Sequence, residues 1–559
     1  MYAWKLAVWA LLPTFYCTLV GLAQGAKMAN PIERDNATQQ QKLLLEQAQR
    51  QREALQNVIT LPSLPLPAST KSGETCHWVR QIGFQNAERL SWSVKERLAR
   101  PYQGRCLTLA DINRLVRETT NAYLHRGYVT SQAWLPEQDI SSGELKVSVS
   151  EGRISDITLN GEQTLAIRMA FPGLIGRVLN LRDIEQGLEQ LNRLPSQQVT
   201  IDIQPAENPG FSTVILQRSA MYPPISLSLG FDNSGQKSTG TGQVNAGITL
   251  DNPLHLADRW AIFAAHSDDF SRRHRSRSLN GSITVPYGYW LFNYQHSWSD
   301  FFQHVPFNGN AYRYQGSSQT HRLGTNRTLL RDGKRKIAAD IGLTRRTTEN
   351  RLAGERLGVS SHTLSIASLG LNYSTVLGSG YMTLNPTVSH GLPTLGATAD
   401  DPNYAEAPRS EFRKLSLSAS YFYPLTPALY YLTSSYGQIS AENLYVGERV
   451  AVGGQYSVRG FKEQYLTGNR GAYWRNELNW QWITLPGLGN LDLSGALDAG
   501  WLHGRAEQID GGNVAGVALG AALSSRWFNQ SFTVGRPLVY PGSLQADRWV
   551  AYWQATVTL

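Results

Sequence analysis

The sequence predicts a mainly β fold: a sixteen-stranded transmembrane antiparallel β-barrel preceded by an N-terminal plug helix and two small α+β domains. Three observations lead there. Apolar and polar residues alternate with a period of two over most of the chain, the links between these segments are short and long by turns, and mean hydropathy stays at −0.31 although there are 15 Trp and 25 Tyr. In the last ten residues Ala551, Trp553, Ala555, Val557 and Leu559 share one face, and Tyr552, Gln554, Thr556 and Thr558 the other. Such a strand suits a wall between lipid and water.

A helical membrane protein would need repeated runs of about 20 apolar residues, and beyond the first residues no segment has one. A barrel hides its apolar surface in every second residue, so its average looks soluble. A large soluble β-sandwich or propeller shares the alternation and stays open on that signal alone. The net charge of +9 fits any of these, or an anionic surface such as lipopolysaccharide.

Taking the chain in order, Lys5 precedes an apolar stretch from Leu6 to Leu22 and then small residues, so residues 1–26 read as a secretory signal peptide. Cys17 falls within it, leaving Cys76 and Cys106 as the mature cysteines; in an oxidising periplasm they are most simply one disulfide. Two thiols are too few for a metal site, and no metal or cofactor is expected. Residues 27–60 are rich in Gln and Glu with a thin apolar side, a helix that must lie against something else. Residues 61–74 carry Pro62, Pro65 and Pro67 and read as a stiff linker.

An internal repeat follows. Leu107-Thr108-Leu109-Ala110-Asp111-Ile112 recurs as Leu179-Asn180-Leu181-Arg182-Asp183-Ile184, each copy opening a helix with an N-cap and an Asp three residues on. The helices carry apolar stripes, Ile112, Leu115, Val116 and Tyr123 in one and Ile184, Leu188 and Leu191 in the other. Strands are expected after them at Glu144–Val149 and Val199–Ile203, giving modules at 75–151 and 152–218. These are either spacers or, through an open sheet edge, acceptors for an extended peptide.

Residues 219–559 divide into sixteen alternating segments. Short links include 253–258, 332–334, 378–380 and 426–427; long ones include 271–278, 393–410 and, longest, 441–472. Short turns at one rim and long loops at the other are what a transmembrane barrel requires. Sixteen strands enclose an aqueous lumen, so the N-terminal helix and the 441–472 loop are the available plugs. The run from Ser271 to Arg277 (SRRHRSR) is expected on an outer loop, facing lipopolysaccharide phosphates or solvent.

The long loop reads Gly453-Gly454-Gln455-Tyr456-Ser457-Val458-Arg459-Gly460-Phe461, followed by Asn469-Arg470-Gly471 and Tyr473-Trp474-Arg475-Asn476-Glu477. With Asp251-Asn252-Pro253-Leu254 ending at Asp258, the paired modules and the leading helix, the whole mature chain resembles the outer-membrane transporters of two-partner secretion. These are relatives of the BamA assembly proteins, and the hemolysin-secretion and contact-dependent-inhibition branch is the most similar. The resemblance implies that the modules are POTRA domains and that Val458, Arg459, Gly460 and Phe461 form the loop tetrad. It also implies a large secreted partner protein bound through the POTRA domains, insertion by the barrel-assembly machinery, and a monomer without nucleic acid.

An Arg in a water-limited lumen needs a carboxylate. On the segment from Leu491 to Trp501, alternation turns Leu493, Leu497 and Trp501 to lipid, and Asp492, Ser494, Ala496, Asp498 and Gly500 to the lumen. The resemblance pairs Arg459 with Asp498, beside Gly500, although Ala496 stands where the family has Phe or Gly. Glu477 is a second candidate partner. No Walker A loop, GxSxG or HExxH occurs, so no catalytic residue is expected. The function expected is export of the partner from periplasm to cell surface; a barrel-assembly factor is the alternative. The chain ends in Leu559 where the family commonly ends in Phe.

Overall fold

The computed structural model describes residues 31–56, 63–66, 75–219, 222–307, 309–404, 406–504 and 510–559. The expected signal peptide and most of the expected linker lie outside the described residues. The first element among the described residues is α1, Pro31–Gln56. Its mean composition is polar and only Pro31, Ile32 and Leu55 among its apolar side chains are buried, so it has no core of its own.

In the first module, strands Cys76–Val79 and Arg105–Thr108 pair antiparallel and are bridged by the Cys76–Cys106 disulfide. Gln81–Gln85 runs parallel to Glu144–Ser150, which pairs antiparallel with Gln132–Trp134. Helices α2 (Trp92–Ala99) and α3 (Leu109–Leu124) close one core over these strands, in which Ile112, Leu115, Tyr123, Leu145 and Val147 are buried. The Thr108 hydroxyl accepts from the Asp111 N–H at 3.2 Å, and Asp111 accepts from the Thr108 N–H at 3.0 Å, a complete capping box.

The second module contains α4 (Leu165–Ala170), α5 (Leu181–Asn192) and a sheet in which Arg153–Leu159 runs parallel to Phe211–Arg218 and Val199–Pro205 pairs antiparallel with it. The repeat diverges at the cap. Asn180 accepts from the Arg182 N–H at 2.9 Å, but Asp183 is turned away to accept from the Tyr289 hydroxyl of the barrel. The neighbouring carboxylates Glu185 and Glu189 meet Arg331, and Glu189 also meets Lys336. Partial burial would raise the Glu189 carboxyl, but Lys336 and Arg331 hold it down at about 2.

The barrel closes from sixteen strands: β1 (Ile225–Asp232), β2 (Gln243–Asp251), β3 (Arg259–Ser267), β4 (Arg275–Tyr287), β5 (Trp290–Phe307), β6 (Asn310–Arg331), β7 (Arg335–Leu352), β8 (His362–Leu377), β9 (Gly380–Gly391), β10 (Arg413–Pro424), β11 (Leu429–Ser440), β12 (Gly471–Leu485), β13 (Gly489–Leu502), β14 (Gly512–Ser524), β15 (Phe528–Val539) and β16 (Val550–Thr558). The last strand pairs with the first in the register Gln554↔Asp232 to Thr558↔Ser228. Leu559 and Leu227 extend the seam by exchanging both backbone hydrogen bonds, at 2.8 and 2.9 Å. Outward residues such as Leu323, Ile341, Leu369, Leu497 and Leu519 are the exposed members of the alternation.

Two expectations are corrected. The basic run is split, because β4 begins at Arg275; Arg275 and Arg277 lie on a strand and bind Asp300 on β5, at 3.0 Å and at 2.6 and 2.7 Å. The outer connections also do not all lengthen as loops. β5 and β6, of 18 and 22 residues, instead protrude as a hairpin that turns between Phe307 and Asn310. At the inner rim the first turn is locked by Asp258, which is fully buried and accepts from the Leu256 N–H at 3.2 Å and the Trp260 indole at 2.7 Å. The Ala257 carbonyl next to it accepts from Arg193 at 2.6 Å, so this turn also seats the second module.

Candidate functional site

The connection from Ser440 to Gly471 folds back into the lumen. Val450–Val452 and Leu466–Gly468 pair as an antiparallel ribbon, and the tip turns at Gly453 and Gly454, whose φ angles of 119° and 125° exclude an ordinary side chain. Val450, Val452, Val458, Phe461 and Leu466 bury themselves against Tyr473, Leu502 and Val514 of the wall. The loop is thus packed as a core element although it connects two membrane strands.

The tetrad lies on β13–β15. Val458 and Phe461 are 0% and 1% exposed. The Arg459 guanidinium grips Asp498 through two bonds, Nε to Oδ2 at 2.6 Å and Nη2 to Oδ1 at 2.7 Å, while the Arg459 backbone N–H donates to Oδ2 at 3.0 Å. Asp498 is 0% exposed and accepts a fourth bond from the Asn476 N–H at 3.2 Å, so its lone pairs are filled. Glu477 reaches Arg459 Nη1 at 3.0 Å and Arg475 at 2.6 Å, making a chain of two cations and two carboxylates. A buried pair is kept only with such saturation, and removing one member leaves the other charge stranded.

Gly500 does not pair with Arg459. A side chain there would stand 2.3 Å from Val452 and 3.1 Å from Val458, so its role is to admit the loop. Two further glycines were not singled out from the sequence. A Cβ at Gly516 would lie 1.8 Å from the Arg459 carbonyl oxygen, and one at Gly535 would lie 2.8 Å from the Gly460 nitrogen. Glycine inside a strand pattern marks a close backbone approach, and that signal was available at both positions. Gly460 has φ of 106° and faces the Arg536 carbonyl in the same contact.

The loop has a second anchor that sequence reasoning missed. Glu448 is 5% exposed and binds Arg346 of β7 at 2.7 Å and Lys414 of β10, on the wall away from β13. Gln438 donates to the Glu448 carbonyl at 2.9 Å.

Alongside the loop, α1 lies in the lumen, in contact with β5, β6, β8, β9 and β10. A helix of 26 residues is about 39 Å long, enough to traverse a bilayer. Its first turn lies toward the outer ends of β5 and β6, with Ile32 against Phe301 and Tyr314 and the Pro31 carbonyl accepting from Gln236 at 3.0 Å. Further in, its contacts are amides: Gln41 to the Ala451 carbonyl at 2.8 Å, Gln47 to Asn372 at 2.8 Å, and Gln51 with Asn385 at 2.9 and 3.2 Å. Near its end Arg52 lies 4.5 Å over the Phe422 ring. Among the described residues no group of three His, Cys, Asp or Glu is placed to hold a metal, and no helix is long and apolar enough to cross a membrane.

A profile of the haemolysin secretion/activation protein ShlB/FhaC/HecB family matches residues 210–523, and profiles of the ShlB-type POTRA domain and of a POTRA domain match 77–152 and 153–205. The chain belongs to this family. It is 44% identical over 533 residues to the outer membrane transporter CdiB of Dickeya dadantii, covering 95% of each chain. It is 41% identical over 543 residues to CdiB of Escherichia coli O6:K15:H31, covering 96% of this chain and 92% of that one. The solved structure of CdiB from Escherichia coli superposes with a TM-score of 0.92 at 41% identity, over 95% of this chain and 99% of that chain.

As a ShlB/FhaC/HecB-family transporter, the chain is an outer-membrane barrel with POTRA domains on its periplasmic side. That orientation places every second connection outside, from β1–β2 and β3–β4 through β11–β12 to β15–β16, and puts the tetrad in the lumen beneath them. Within the family fold, two kinds of plug are distinguishable here by chemistry. The loop is fixed by apolar burial and charge pairs at both ends, whereas the middle of α1 is held by neutral amide bonds that water can replace.

Proposed function

We propose that this chain exports one large partner exoprotein of the hemolysin, adhesin or contact-dependent-inhibition toxin type. The observation that carries the reading is the polar seat of α1: a lumenal helix without a core of its own, bound to the wall by Gln47–Asn372 and Gln51–Asn385 amide pairs. In this reading the partner's unfolded secretion segment adds as a strand to a sheet edge of the modules at 75–151 and 152–218. α1 then leaves and the chain passes outward. The tetrad, with Arg459 on Asp498 and Glu477, keeps the loop against the wall during passage. Folding of the partner outside supplies direction, and no catalytic step by this chain is involved. The protein works as a monomer, inserted by the barrel-assembly machinery, among outer-membrane lipids.

The test is co-expression with the large exoprotein encoded beside it. Deletion of residues 75–218 is expected to abolish surface display while the barrel still shows the heat-dependent gel shift of a folded one. Undiminished display by that deletion would refute the docking step.

A further inference from the structure

The strands that protrude at the outer rim carry a feature that export does not use. Alternation fixes which side it faces. Leu279 on β4, Phe292 on β5, Leu323 on β6 and Ile341 on β7 are 41%, 47%, 63% and 52% exposed and define the lipid side of these strands. Arg277, Asp300, Arg313 and Arg351 have the same parity on the same four strands, so they too face away from the lumen. The opposite parity holds the lumenal groups, such as Phe301 against α1 and Arg346 against the folded loop.

Height follows from counting. Trp290 stands at the inner turn, and ten residues of a strand tilted by about 40° rise roughly 25 Å, the height of the apolar band. Asp300 therefore lies at the outer edge of the hydrocarbon. Trp298 marks that edge, with the Arg277 guanidinium 5.2 Å over its ring. Just above, Phe302 is pressed between Arg275 and Arg313, at 5.2 and 4.5 Å from its ring, and is only 7% exposed. Arg275, Asp300, Phe302 and Arg313 border an open recess of about 240 Å³ shared with Glu349 and Arg351. Three guanidiniums, of Arg275, Arg313 and Arg351, face the two carboxylates Asp300 and Glu349 there, with Arg277 held on Asp300 beside it, and Arg275 Nε has no partner among the described residues.

We infer that the outward face of β4–β7 is a binding site for the phosphorylated headgroup of lipid A in the outer leaflet. Asp300 splays Arg275 and Arg277 into fixed positions, and the Phe302 ring holds Arg275 and Arg313 on its two sides. Fixed planar guanidiniums at headgroup height suit a phosphate monoester with three acceptor oxygens. The exposed Leu279, which pairs with Trp298 in the outer half of the band, would lie along the acyl chains. The inference rests on the outer-membrane placement and adds to it a particular lipid and a particular face.

The test is native mass spectrometry of the purified full chain in detergent, titrated with hexa-acylated lipid A bearing both phosphates. Wild type is expected to retain this lipid at least tenfold more tightly than the same lipid stripped of phosphate, with neither phosphatidylglycerol nor inorganic phosphate competing at equal concentration. The R313E/R351E pair is expected to lose that preference. Equal retention of phosphorylated and stripped lipid A by the wild-type chain would overturn the inference whatever the variant does. Displacement by inorganic phosphate would reassign the site to a free ion, and displacement by phosphatidylglycerol to any anionic lipid. Because display of the exoprotein is scored separately, a wild-type chain that shows no preference for phosphorylated lipid A yet displays the exoprotein normally would sink this inference and leave the export reading standing.

Discussion

The carbonyl oxygen of Arg459 occupies the space that a side chain at Gly516 would fill: an added Cβ would be 1.8 Å from it. Backbone on both sides makes this contact, so neither partner has a flexible end that can swing away. Gly516→Val is therefore expected to lift the tetrad off β14 while leaving the strand's outward face intact. The measurement is limited proteolysis of the 441–472 loop in membrane-inserted protein, with cleavage at least tenfold faster than wild type. A variant as resistant as wild type would mean that the loop does not rest on this wall.

Arg459 and Asp498 are each satisfied only by the other and its neighbours, so truncating one strands a charge. Arg459→Ala is expected to cost about 3–5 kcal/mol of barrel stability, read as a lower urea midpoint for the heat-modifiable form. The R459A/D498A pair is expected to recover part of that loss, because no orphan charge remains. Equal destabilisation in the single and the double variant would argue against a coupled pair.

The strands were legible in the sequence because lipid and water impose a period of two on every one of them. The Thr108 box was legible because its two partners are three residues apart. Long-range polar matches were not. Glu448 meets Arg346 across 102 residues of chain, and Gln47 meets Asn372 across 325, with no local pattern to announce either. The basic run was misplaced for the same reason, since the group that draws Arg275 and Arg277 onto the wall is Asp300 of the next strand. Gly516 and Gly535 were visible as glycines within strands, but what approaches them depends on the path of the loop.

The seat of the second module on the barrel should be acid-sensitive in a defined window. Glu189 titrates at about 2 when docked, below its ordinary value near 4.5, so its contribution is complete above 4.5 and is lost as pH falls toward 2. Crosslinking between the second module and the β6–β7 turn, followed from pH 6 to pH 2.5, should decline across that range. Glu189→Gln should flatten the profile and lower its pH 6 plateau. An unchanged profile in the variant would assign the acid sensitivity to other groups.

The most direct measurement is to lock α1 in place. Cysteines introduced by Gln47→Cys and Asn372→Cys stand at an observed contact between helix and wall, where a short bis-maleimide bridge would hold the helix in the lumen. Bridged protein is expected to stop displaying the exoprotein, while the unbridged double variant and each single variant treated alike continue to do so. Undiminished display through a fully bridged barrel would show that export does not require the helix to leave, and would contradict the proposed route through the lumen.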